Sequence, residues 1–133
     1  MAKSETAASI LRAISDEKSL ELFRTIASEA AVDSETLRTR MKFTRKQYYS
    51  RLSRMVRSGL VKRKSGKYFL TAFGKVVYGT ELTIEGALKD YWKLKAIDSL
   101  NVTGELPVEE RNKLIDTLLD NEELRGILVK EAR

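Results

Sequence analysis

Residues 44–75 read TRKQYYSRLSRMVRSGLVKRKSGKYFLTAFGK, and how this stretch folds decides the rest of the chain. Thr44 has the side chain of a helix N-cap. Over residues 45–58 the apolar positions Tyr48, Leu52, Met55 and Val56 fall at offsets 0, 4, 7 and 8, which is one stripe of a helix. At ~100° per residue, Lys46, Ser50, Ser53, Arg54 and Arg57 occupy the opposite face, with Gln47 at its margin. Gly59 follows as a residue able to take the left-handed conformation that closes a helix. Residues 60–64 and 67–70 then form two short strands around Ser65 and Gly66, a pair suited to a tight hairpin turn. Thr71 is the next cap. The stretch therefore predicts a helix with a basic outer face, a basic hairpin and the start of a further helix.

Upstream, helical periodicity continues. Ala8, Leu11, Ala13 and Ile14 make a short amphipathic start, and Ser15 ahead of Asp16 and Glu17 is the expected cap of a second helix. Leu20, Leu22, Phe23, Ile26 and Ala27 recur along it at helical spacing. Asp33 and Ser34 open a short helix that holds Leu37 and ends near Met41. A short helix, a tight turn and a second helix with a basic face make a helix-turn-helix, whose second helix fits the DNA major groove. Downstream, a long helix is expected to about Leu100, bent near Gly79 or Gly86, followed by a loop over 101–105. Pro107, as a first helical residue ahead of Glu109 and Glu110, starts a last helix burying Leu114, Ile115, Leu118 and Leu119. A final turn or two carries Leu124, Ile127 and Leu128. The fold class is mainly α with a small β-hairpin, divided as a DNA-binding domain over 1–75 and a helical extension over 76–133.

Charge is segregated along these elements. The formal net charge is +6 in 133 residues, yet residues 36–80 hold thirteen basic side chains and no acid. Residues 1–35 hold four basic and seven acidic side chains, and residues 81–133 hold eight and twelve. A face of one sign repels itself unless a polyanion relieves it, so nucleic acid is the expected partner. The chain lacks Cys and His, which removes thiolate and imidazole metal sites, thiol redox sensing and the commonest general base. Acidic pairs such as Glu109/Glu110 and Glu122/Glu123 read as first-turn helix acids, so neither catalysis nor a cofactor or metal is expected. No apolar run reaches a membrane span and no secretory h-region opens the chain, which reads as cytoplasmic and nucleoid-associated.

The quoted stretch resembles the recognition helix and wing of winged helix-turn-helix transcription regulators, in particular the small archaeal proteins of that kind and more distantly MarR- and ArsR-type repressors. The residues that carry the likeness are Ser50, Arg51 and Leu52 inside the helix, Gly59, Leu60 and Val61 at its exit, and Gly66, Lys67 and Tyr68 at the wing turn. Leu70 and Thr71 followed by Gly74 complete it. The metal-sensing mode of ArsR-type members does not carry over, because its Cys and His ligands are missing here.

Within this frame Lys46, Gln47, Ser50 and Arg54 are the candidates for base-edge contacts, the alternative being contact with phosphate alone. Thr44, Arg45, Arg51 and Arg57 are read as phosphate positioners, aided by backbone amides at the helix N-terminus. Tyr49 either donates to a phosphate or packs half-buried. Lys62, Arg63, Lys64 and Lys67 line a wing suited to the backbone or the minor groove. The apolar residues after Thr71 exceed what a three-helix domain covers, so a homodimer is expected, against the alternative that the C-terminal helices fold back over them. The function expected is a sequence-specific double-stranded DNA-binding regulator of transcription. Its alternative is an architectural or protein-binding module that reads no sequence.

Overall fold

The computed structural model describes residues 5–29, 32–100 and 104–129. The chain forms two compact units that divide between Gly79 and Thr80. The first begins with α1 (Ala7–Ala13) and α2 (Glu17–Ser28). Asp16, not Ser15, caps α2, its carboxylate accepting from the Ser19 N–H at 3.1 Å, while the Ser15 hydroxyl donates back to the Arg12 carbonyl. The buried face of α1 is Ile10, Ala13 and Ile14, leaving Ala8 and Leu11 in solvent. Leu22, Phe23 and Ile26 carry α2 into the core.

A strand absent from the sequence reading follows. β1 (Val32–Asp33) is two residues long and precedes α3 (Ser34–Arg40), which Asp33 caps. α4 (Arg45–Arg57) starts at Thr44, whose hydroxyl accepts from the Gln47 N–H while the Gln47 side-chain carbonyl accepts from the Thr44 N–H. This reciprocal capping box fixes where the helix begins. Its buried stripe is Tyr48, Leu52 and Met55. Val56 is exposed instead, because it lies ~100° around the helix from Met55.

β2 (Val61–Lys64) and β3 (Lys67–Leu70) pair antiparallel, with Val61 opposite Leu70 and Lys64 opposite Lys67. Ser65 and Gly66 both have positive φ, 53° and 74°, as a two-residue turn that follows strand twist requires. β1 adds on the other side of β3, giving the sheet order β1-β3-β2. Leu22, Phe23, Leu37, Tyr48, Leu52, Met55, Leu60 and Val61 make the fully buried centre, against which Val77 and Tyr78 pack.

The expected long helix is two helices, α5 (Ala72–Lys89) and α6 (Tyr91–Leu100). The helix runs through Gly79 and Gly86 and lapses at Asp90, a residue type that competes with the backbone for hydrogen bonds. The second unit adds α7 (Val108–Leu118) and α8 (Glu122–Leu128). Pro107 is the N-cap of α7 rather than its first residue, with extended ψ of 148°. The loop expected over 101–105 lies partly outside the described residues. This unit's core is Ile97, Ile115, Leu119 and Leu124; Leu114 and Leu118 are half-buried, and Ile127 is exposed because a helix of seven residues turns only one face inward. The Arg111 guanidinium donates to the Leu128 carbonyl at 2.7 Å, joining α7 to the end of α8.

Candidate nucleic-acid interface

Three elements of the first unit carry the candidate residues: the N-terminus of α4, its outer face, and the hairpin. Thr44, Arg45, Lys46, Gln47, Tyr49, Ser50, Arg54 and Arg57 are all exposed, as are Lys62, Arg63, Lys64 and Lys67. The buried stripe fixes the rotation of α4, so Lys46, Ser50 and Arg54 point away from the core by construction. Gln47 is exposed but engaged. Its carbonyl oxygen serves the capping box, which leaves its amide N–H groups as the free half.

Arg51 departs from its expected place. Its guanidinium pairs with the Asp16 carboxylate at 3.2 Å and lies 5.3 Å from the centre of the Phe43 ring, with the side chain only 23% exposed. Partial burial works to raise the Asp16 carboxyl, but hydrogen bonds from Ser19 and Arg51 together outweigh it and hold the group below the usual carboxylate range. Arg51 thus ties α4 to the start of α2, and a phosphate contact would require it to leave Asp16. The helical wheel held this signal: Arg51 is next to the buried stripe, about 40° from Met55.

The hairpin sorts its cations by strand alternation. Tyr68 and Leu70 point inward, Lys67 is exposed and Phe69 half-buried. Lys62 is opposite Phe69 and Lys64 opposite Lys67, so these three lysines share the outer face. Directly opposed like charges are unfavourable in a sheet, and the Lys64–Lys67 pair beside the tip gains from an anion. Arg63 is opposite Tyr68 on the other face. Burial raises the Tyr68 phenol, while Arg63 opposes that shift and Tyr49 adds to it. Tyr49 stacks edge-on against Tyr48, 5.1 Å between ring centres, and stays half-exposed.

Behind this surface Tyr48 is fully buried, its hydroxyl 3.0 Å from that of Ser34. Burial pushes the phenol up to about 12, against the Ser34 hydrogen bond and with Tyr68, Tyr49 and Asp33 contributing in the same direction as burial. The exit of α4 is pinned as firmly. The Thr71 hydroxyl donates to the Gly59 carbonyl at 2.5 Å and accepts from the Gly74 N–H at 2.9 Å, while the Thr71 N–H donates to the Leu60 carbonyl. Among the described residues no group of three or more Asp or Glu side chains is placed to hold a metal ion, and no helix is long and apolar enough to cross a membrane.

The order α2, β1, α3, α4, β2, β3 with the sheet order β1-β3-β2 is the winged helix-turn-helix architecture, mainly α with an antiparallel hairpin. Among solved structures, the chain is similar in fold to the activation domain of the phage T4 transcription factor MotA. The TM-score is 0.52 at 18% identity, over 65% of this chain and 95% of that one. No protein-family model matches the chain, and no curated protein matches it by sequence.

Proposed function

We propose that the protein binds double-stranded DNA with sequence preference and regulates transcription, acting as a homodimer. α4 enters the major groove and the hairpin follows the backbone or the adjacent minor groove. The observation that carries this reading is the outer face of α4, where Lys46, Ser50 and Arg54 project from a helix whose rotation the core fixes, flanked by exposed cations at both ends of the surface. Arg54 is suited to guanine and the free amide of Gln47 to an acceptor on a base edge. Thr44, Arg45 and Arg57 with the wing lysines neutralise phosphates. One observation favours the alternative of a protein-binding module: the similar fold of the MotA domain belongs to a part of a transcription factor named for activation.

Selection of bound duplexes from a random pool tests the reading. An enriched inverted repeat with half-sites about 10 bp apart, or a multiple of that, is the expected result for a two-fold dimer. Retention without enrichment would reduce the surface to general duplex binding, and no retention would leave the protein-binding alternative.

A further inference from the structure

The second unit turns an apolar stripe outward that its own core does not use. Ile84, Leu88, Tyr91 and Trp92 recur at i, i+4, i+7 and i+8 along the end of α5 and the start of α6, and are 53%, 61%, 47% and 77% exposed. Ala87, Leu94 and Ile97 from the same helices face the core. The lapse at Asp90 does not interrupt the stripe, since the Asp90 N–H still donates to the Gly86 carbonyl and its own carbonyl accepts from Leu94. Lys95 lies over both aromatic rings, its Nζ 5.6 Å from the Tyr91 centre and 6.0 Å from that of Trp92.

We infer that this stripe is where a second copy of the chain docks, antiparallel, with the two-fold axis beside Leu88. The inference rests on the dimeric reading above and specifies its seam. At those exposures, four large side chains leave roughly 500 Å² of largely apolar surface open on each copy, a contiguous patch of the size that is often functional rather than singly scattered exposure. Two copies bury roughly 1,000 Å², where specific interfaces begin. The excess of acid over base across residues 81–133 disfavours a polyanion as the occupant. Charge favours self-pairing: Glu85 flanks the N-terminal end of the stripe and Lys95 closes the C-terminal end. An axis at Leu88 sets Ile84 opposite the partner's Trp92 and brings Lys95 toward the partner's Glu85, twice over, as an isologous contact does. Tyr and Trp, which the stripe supplies in Tyr91 and Trp92, are side chains that dominate such contacts.

Trp92 is the chain's sole tryptophan, so its emission reports on this surface alone. Sedimentation equilibrium of the full chain at tens of micromolar is expected to give a dimer, and the emission to move to longer wavelength on dilution as the indole meets water. Leu88→Asp, which sets two carboxylates face to face at the axis, should weaken association by roughly tenfold or more with unchanged helix content. Lys95→Glu should weaken it less, and the pair Glu85→Lys/Lys95→Glu should restore it. A dimer that Leu88→Asp leaves intact, with emission independent of concentration, would place the seam elsewhere and overturn this inference while sparing the dimeric reading. A monomeric full chain would overturn both. Absence of an enriched duplex in the selection above would leave the seam standing.

Discussion

Tyr48 is the buried side chain on which the exposed face of α4 is set. Its ring fills the core under α4 and its hydroxyl meets Ser34 of α3, so it fixes the angle between the two helices. A phenol held at about 12 in the folded chain, against an ordinary value near 10, favours the neutral form of the folded state. That contribution is fully present below pH 10 and is lost as the pH rises from 10 through 12. Urea unfolding from pH 8 to 12 should show this fall. Tyr48→Phe should flatten it, leaving the smaller slope from Tyr68, and should cost about 0.5–1.5 kcal/mol at neutral pH through the lost Ser34 hydrogen bond. On the outer face the residue-level prediction concerns DNA. Arg54→Ala should lose ~1–3 kcal/mol on the preferred duplex and little on random DNA, whereas Lys64→Ala should weaken both alike. Titrations on the two duplexes decide it: equal losses for Arg54→Ala would assign that side chain to phosphate.

At the scale of elements, the start of α5 is held to the exit of α4 by backbone contact. A Cβ built on Gly74 would sit 2.0 Å from the Leu60 carbonyl oxygen, so the first turn of α5 lies directly on the exit of α4. Thr71 bridges the same place through the Gly59 and Gly74 backbones. Since the atom met is backbone, it cannot rotate away, and Gly74→Ala should destabilise the first unit by about 1–3 kcal/mol or more. Gly79→Ala, at a helical position with open space around it, should instead be neutral or stabilising. Thermal melts of the two variants side by side test the argument, and a harmless Gly74→Ala would mean that α5 shifts freely against α4.

Across the whole molecule, charge and surface are allotted by unit. The first unit carries the unbroken basic stretch and the second the excess of acid. If about six of the exposed cations on α4 and the hairpin reach phosphates, log K against log salt should fall with a slope near −5 per chain. Binding isotherms over a series of salt concentrations measure this directly. A slope shallower than about −2 per chain would mean that the basic stretch mostly faces something other than a duplex.

α4 and the hairpin were legible in the sequence because each signal there is local. Thr44, Gly59, and Ser65 with Gly66 are short-range choices of cap and turn, and the offsets of Tyr48, Leu52 and Met55 fix which face of α4 is buried. The lack of any acid over residues 36–80 likewise belongs to the sequence alone. Other features needed the chain to close on itself. β1 is two residues long and exists only because β3 offers it an edge, so no periodicity announces it. Lys42 takes the left-handed φ of 56° at the turn between α3 and α4, where no glycine marks the place. Arg51 reads as one more cation of a basic helix until Asp16, 35 residues away, and Phe43 are brought beside it. The apolar residues of α5 and α6 could be counted in sequence, but only packing separates Ala87, Leu94 and Ile97, which face their own core, from Leu88, Tyr91 and Trp92, which do not. Caps, turns and helix faces depend on neighbours within about a turn of helix, whereas pairing across the chain depends on which distant surfaces the fold sets in contact.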